Sequence, residues 1–180
     1  MRAAVKTDDN VMKKPALLLA LVFAAGCAPV VPLNTQQVHA VFGNGAAFDC
    51  VQTPDRVEAW RIEFPREGPL ADPTKLDTYV RLSDPVNVAP DVARNIAEVL
   101  NRSSTYSWDS HKTCQFLPGV QLRFAKQGQI VDVLLCFKCN ELWVWHNHQR
   151  VGGQEFDSGR SDLAKLVKQI FPDDEEIQSL

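Results

Sequence analysis

The strongest constraint on the fold is a pair of alternating apolar runs that face each other across a short polar turn. The apolar positions are Val120, Leu122 and Phe124 in the first run, and Val131, Val133, Leu135 and Phe137 in the second. A two-residue turn at Gln127 and Gly128 places Phe124 opposite Val131, so both apolar sets lie on one face. The same register sets Arg123 opposite Asp132 on the other face, a favourable cross-strand pair. The sequence therefore predicts a β-hairpin in this register.

Other segments supply further strands and helices around this hairpin. Alternation predicts a half-buried strand over residues 57–64 and a shorter one over 79–82, while apolar residues at helical spacing predict a helix over 90–100. Residues 142–148 are predicted to form a third strand after the hairpin, and residues 158–171 a C-terminal helix. Strands joined by short turns form antiparallel sheets. We therefore expect a single α+β domain with a helix packed on an antiparallel sheet.

The strand at residues 142–148 is apolar on both faces, with Leu142 and Val144 on one and Trp143 and Trp145 on the other. A helix is expected to cover the two tryptophans. The C-terminal helix carries an apolar stripe for this purpose; Ser158 or Ser161 is expected to cap its start, and Pro172 marks its end. The acidic segment that follows, residues 173–180, is expected to form a loosely held, solvated tail.

The N-terminal segment is typical of an export signal. Lys13 and Lys14 precede an apolar run over residues 16–25 that is too short to span a bilayer, and the run ends in small residues before Cys27. This ending resembles a bacterial lipobox, in which the cysteine is lipidated and becomes the mature N-terminus. The layout predicts a signal peptide over residues 1–27, with Met12 as a possible true start, a Pro-containing tether over 28–37, and the domain over 38–180.

Charge narrows the possible partners. Residues 1–27 hold four of the 19 basic and two of the 22 acidic side chains, which leaves 15 and 20 in the mature chain and a net charge near −5. This charge argues against nucleic acid and against electrostatic docking on anionic lipid. We expect contact with the membrane through the lipid on Cys27 alone. Ala28 after the cysteine resembles outer-membrane sorting, so the expected location is the periplasmic face of the outer membrane.

Four cysteines remain in the domain: Cys50, Cys114, Cys136 and Cys139. In an oxidising compartment an even count favours disulfides. Extending the hairpin register past Pro118 brings Cys114 near both Cys136 and Cys139, with Cys139 favoured. Cys136 and Cys139 form a CxxC motif, but they lie at a strand end and not at a helix N-terminus, where redox motifs lower a thiol pKa.

A zinc site is the other hypothesis for these residues. Cys114, Cys136 and Cys139 would supply three ligands, with Cys50, His146 or His148 as the fourth. His146 and His148 share one face if residues 142–148 are all extended, which is ligand-like spacing. Exposed histidines near a strand end are the simpler interpretation, and no cofactor is expected.

The pattern around the cysteines resembles a group of uncharacterised bacterial exported proteins. The shared elements are a cysteine followed by a Pro-Gly strand start, here Cys114 with Pro118 and Gly119, and the stretch CFKCNE at residues 136–141. A terminal helix with the ending Phe171-Pro172-Asp173 is also similar. The resemblance implies that Cys114, Cys136 and Cys139 belong to one unit. Cys50 is not part of the shared pattern, so the resemblance implies no pairing for it. It implies no activity.

Two functional hypotheses follow from the sequence. The first is a non-enzymatic, lipid-anchored envelope protein with structural cysteines, whose protein partner, if it has one, is unknown. The second is a periplasmic thiol-redox or zinc-binding protein that uses Cys136 and Cys139. No catalytic residues are assigned.

Overall fold

The predicted hairpin forms the centre of an antiparallel sheet. In the computed structural model, which describes residues 33–65, 72–110 and 112–180, strand β4 (Val120–Lys126) pairs with β5 (Gln129–Cys136). Phe124 lies opposite Val131, and Arg123 lies opposite Asp132. Gln127 and Gly128 have φ angles of 48° and 80°, the left-handed backbone that a two-residue hairpin turn requires. The predicted register is confirmed.

The other strands extend the sheet on both sides. They are β1 (Arg56–Glu63), β2 (Val80–Arg81), β3 (Val86–Asn87), β6 (Glu141–His146) and β7 (Gln149–Glu155). The order is β2-β1-β4-β5-β6-β7, with β3 also paired to β1, and every pairing is antiparallel. Strands β1 and β2 match the sequence prediction, and β6 lies where the third strand was predicted but ends at His146. Strands β3 and β7 were not predicted.

The helices are α1 (Leu33–Val41), α2 (Gly45–Gln52), α3 (Pro90–Asn101), α4 (Arg160–Ile170) and α5 (Glu175–Gln178). Helices α3 and α4 were predicted, and Pro90 at the start of α3 has the expected position. The predicted serine cap of α4 is wrong. A 3-10 turn, Asp157–Gly159, runs directly into α4, so Gly159 occupies the cap position and no side chain caps the helix.

The helices pack on one face of the sheet, which we call the inner face. Val133, Leu135, Leu142 and Val144 point to this side and join one buried cluster with Leu163, Leu166, Val167 and Ile170 of α4. Leu163 is fully buried, and Leu166 and Ile170 are each 7% exposed. The predicted α+β class, with a C-terminal helix on an antiparallel sheet, is therefore correct.

The opposite face, which we call the outer face, carries a second cluster that includes Trp60, Leu134 and Trp145. The expectation that a helix covers the tryptophans is wrong, because α4 packs on the side of Leu142 and Val144. The outer face is covered instead by irregular chain: Tyr79 packs against Trp145, and the Trp145 indole donates to the Thr74 carbonyl at 3.2 Å. Phe116 stacks on Trp143 with ring centroids 4.0 Å apart.

The N-terminal predictions fall largely outside this structure. The signal peptide, Cys27 and residues 28–32 of the tether lie outside the described residues. Helix α1 begins at Leu33, so the last five residues of the predicted tether are helical. The described residues, 33–65, 72–110 and 112–180, fall within one compact unit. Within the described ranges, no helix has the length and apolar character needed to cross a membrane.

The packing of α4 on the sheet gives a direct test of the fold. Replacing Leu163 with Ala should lower the free energy of unfolding by about 2–5 kcal/mol, because the lost apolar burial adds to a cavity against the inner face. The matched control is Lys165→Ala on the exposed side of the same helix, which should change stability by less than about 0.5 kcal/mol. Urea denaturation measures both, and equal effects would contradict the packing.

Candidate functional site

A disulfide joins two irregular segments at one end of the sheet. Cys114 bonds to Cys139 across a sequence separation of 25, with the Cα atoms 5.9 Å apart. Cys139 lies in the turn 137–140 between β5 and β6, and Cys114 lies in the segment that leads into β4. The Gly119 N–H donates to the Leu135 carbonyl at 3.1 Å, which keeps this segment beside β5 as the hairpin register requires. The pairing that the register favoured is the one observed.

Cys136 is the other cysteine of the CxxC motif, and its thiol is free. It is the last residue of β5, lies opposite Glu141, and is fully buried in the outer-face cluster together with Cys139. Because Cys139 is bonded to Cys114, the two cysteines of the motif do not form a disulfide with each other in this structure. The resemblance grouped these three cysteines as one unit, and the structure places all three at this end of the sheet.

Cys50 lies on the other side of the sheet. It belongs to α2 and to the inner-face cluster, and its thiol is 3.6 Å from the Phe124 carbonyl. Burial raises the pKa of the Cys50 thiol, against a smaller opposing effect of the Lys126 charge. Cys50 is therefore a buried thiol whose ionisation is disfavoured, and the sheet separates it from the other three cysteines.

The two candidate histidines do not share a strand face. His146 ends β6, and Asn147 and His148 form a two-residue turn with φ angles of 47° and 69°. The prediction of a strand through residue 148 is wrong because the chain reverses here into β7. The His146 ring contacts Asn44 and Gln129 through its two nitrogens, at 3.3 and 2.8 Å.

The donor set proposed for zinc is altered by the disulfide. Cys114 and Cys139 are bonded to each other and are not thiolates, and Cys50 lies beyond the sheet. Among the residues that the structure describes, no three His, Cys, Asp or Glu side chains are grouped so that they could hold a metal ion.

Lys112 holds in place the segment that carries Cys114. Its backbone N–H donates to Glu155 at 2.9 Å, and its ammonium donates to the Cys139 carbonyl at 2.8 Å and to Asp157 at 2.5 Å. Burial alone would raise the pKa of Asp157, but the hydrogen bonds from Lys112 and Asn140 outweigh it and lower that pKa. The segment is therefore tied to the sheet by polar contacts as well as by the disulfide.

A buried arginine forms a second polar centre that sequence analysis missed. The Arg61 side chain, near the end of β1, is 9% exposed, and its Nε donates to Asp174 at 2.7 Å. Its Nη2 donates to Glu176 at 2.5 Å, and its Nη1 donates to the Gly119 carbonyl. These three acceptors pair with the guanidinium group, whose burial without partners would destabilise the fold.

The acidic C-terminal segment is packed against the domain, so the prediction of a solvated tail is wrong. Asp174 caps α5 by accepting from the Ile177 N–H at 2.9 Å, and Ile177 is 2% exposed. Lys168 donates to the Leu180 carbonyl at 2.9 Å. The solvated tail was predicted from its charge alone. The residue that holds the segment, Arg61, lies more than 110 residues earlier in the chain, so the segment's own sequence does not reveal the contact.

A groove of about 460 Å³ lies beside this arginine. One wall contains Leu117 and Pro118 of the Cys114 segment, and another contains Phe137 and Lys138 of the turn that holds Cys139. The C-terminal segment closes a further side. The disulfide thus cross-links two walls of the groove, and the Arg61 contacts fix a third.

Comparisons with known proteins leave the family open: no family model matches the chain, and neither the curated proteins nor the solved structures include a significant match.

The contribution of the disulfide to stability can be measured with the double variant Cys114→Ser/Cys139→Ser. This variant removes the cross-link and leaves neither of the two cysteines as a free thiol. We expect the free energy of unfolding to fall by about 3 kcal/mol, because the bond closes a loop of some 25 residues in the unfolded chain. Urea denaturation of the oxidised proteins tests this. Reduced wild type is the control and should lose a similar amount, whereas a double variant as stable as oxidised wild type would contradict the argument.

The contact between Arg61 and Asp174 makes stability depend on pH. Partial burial raises the pKa of Asp174, but the Ile177 N–H and Arg61 outweigh it and leave the pKa below its usual value. A lowered carboxyl pKa stabilises the fold above the unfolded value of about 3.9, and this contribution is lost as pH falls through the lower folded value. Asp174→Asn should therefore cost about 1 kcal/mol at pH 7 and much less at a pH below the folded pKa of Asp174.

Glu176→Gln is the matched control, because the Glu176 side chain is 79% exposed. We expect it to change stability by less than about 0.5 kcal/mol at either pH. Urea denaturation of the three proteins at both pH values gives the comparison. A loss for Asp174→Asn that is equal at both pH values would show that its charge is not the source.

Proposed function

We propose that this chain is a lipid-anchored protein of the bacterial cell envelope that acts without catalysis, and that its disulfide serves the structure of the domain. The Cys114–Cys139 bond carries the proposal, because disulfides persist in oxidising compartments outside the cytoplasm. An export signal over residues 1–27 accounts for that compartment. Lipidation of Cys27 then supplies the membrane contact that a mature chain of net charge near −5 does not obtain from electrostatics.

The contacts of the disulfide support a structural role over a redox role. Cys139 is 3% exposed, and the segment that carries Cys114 is also held by Lys112 through its contacts to Glu155 and Asp157. Catalytic disulfides typically react with a partner's thiol at the protein surface, whereas the Cys139 half of this bond is buried in the turn 137–140. Its position between two walls of the groove assigns it the role of maintaining that surface.

The groove is where we place the contact with a partner. It combines apolar side chains with unlike charges, including Lys138 and Glu63, which suits recognition of a protein surface more than of nucleic acid. Outer-membrane sorting, inferred from Ala28, would present this surface in the periplasm.

The anchoring step is tested with Cys27→Ser in the full-length chain. Wild-type protein should fractionate with the membrane and carry an acyl mass on the peptide that begins at Cys27, because the thiol is the site of lipidation. The variant should lack that mass. Cell fractionation with intact-mass spectrometry measures both, and Cys50→Ser, which changes a buried thiol of the domain, is the matched control. Wild type without an acyl mass would contradict the proposal.

A further inference from the structure

The free thiol of Cys136 shares a face of the sheet with the disulfide. Cys136 and Cys139 belong to the same buried outer-face cluster, whereas the other free thiol, Cys50, belongs to the inner-face cluster. Among the residues that the structure describes, Cys136 is therefore the one thiol on the same side of the sheet as the Cys114–Cys139 bond. Its burial does not isolate it from that bond, since Cys139, one half of the bond, lies in the same cluster.

The turn geometry keeps Cys136 within bonding range of Cys139. Cys136 ends β5 and pairs with Glu141, and the four residues between them form the tight turn 137–140. Cys136 and Cys139 are three residues apart in the chain, and both are buried in the outer-face cluster at this end of the sheet. A disulfide requires Cα atoms about 4.4–6.8 Å apart, and the closed turn between β5 and β6 keeps the two cysteines close enough for the exchange to involve this turn alone.

We propose that Cys136 is a resolving thiol that exchanges with the disulfide and converts Cys114 into a switchable surface thiol. The Cys136 thiolate attacks the Cys139 sulfur, the bond between Cys139 and Cys114 breaks, and a bond between Cys136 and Cys139 forms. The proton leaves Cys136 and the Cys114 thiolate takes one up from solvent. One disulfide is lost and one is gained, so the exchange needs no oxidant or reductant.

The resting state is the bond seen in the structure. After exchange, Lys112 still holds the released segment through Glu155 and Asp157, so the step is local and reversible. Cys114 is the exposed member of the three cysteines, so exchange presents a thiol at the surface beside the groove. This proposal is independent of lipidation.

Alkylation of the native protein tests the exchange. Folded, fully oxidised wild type is incubated with iodoacetamide at pH 8 without reductant or denaturant, and the product is mapped as non-reduced peptides. Each exchange event exposes Cys114 to the reagent. The expected product carries the alkyl group on Cys114 and a linked Cys136–Cys139 peptide, and Cys114 should be labelled at least tenfold faster than in Cys136→Ser.

Cys50→Ser is the matched control, because it removes the thiol on the inner face and should leave the rate at Cys114 unchanged. Label on Cys136 with the Cys114–Cys139 bond intact would show that local opening exposes Cys136 and would overturn the proposal. Absence of label from both residues would overturn it as well. The identity of the wild-type product decides between these outcomes even if Cys136→Ser does not fold.

Discussion

The register between β4 and β5 is the constraint on which the rest of the domain depends. Both strands are buried on both faces, so a slip of one residue would exchange the two faces and place Asp132 among the apolar residues beneath the helices. In the observed register Asp132 is buried on the outer face and accepts hydrogen bonds from Gln121 and Arg123, at 2.7 and 2.8 Å. A buried carboxylate with these donors is compensated, and without them it would strongly destabilise the fold. The contacts of Asp132 and the apolar residues of the inner face therefore favour the same register.

A sheet that is apolar on both faces must be shielded from solvent on both. In this chain, different kinds of structure pack on the two faces. Helices α3 and α4 cover the inner face with side chains at helical spacing. The outer face is covered by irregular chain, in which Thr74 and Tyr79 contact Trp145 and Phe116 stacks on Trp143. Irregular chain has few backbone hydrogen bonds of its own to keep it in place. The disulfide and the contacts of Lys112 supply the missing constraint for the segment that carries Phe116.

The elements that were predicted from the sequence are those whose secondary structure is indicated by residues close together in the chain. Alternation was sufficient for the hairpin, and helical spacing was sufficient for α3 and α4. Strand β7 was not predicted because its sequence, QRVGGQE, has no alternation; its glycines serve close packing, since a side chain on Gly152 would collide with the Val41 carbonyl. The role of the C-terminal segment was also missed. Its acidic residues are held by Arg61 of β1, and a contact between such distant residues has no local signal.

The cysteines show why a count of residues does not determine pairing. An even number favoured full pairing, yet one bond forms and two thiols stay free among the described residues. The sheet is the reason: Cys50 lies in α2 on the inner face, and Cys136 lies on the outer face, so no bond between them can form through the packed strands. Strand parity determines this outcome, because Leu135 and Cys136 are neighbours in the chain and face opposite sides. The unpaired state of Cys136 therefore follows from the same register that places Cys114 beside Cys139, and it leaves a thiol next to the bond that stabilises the domain.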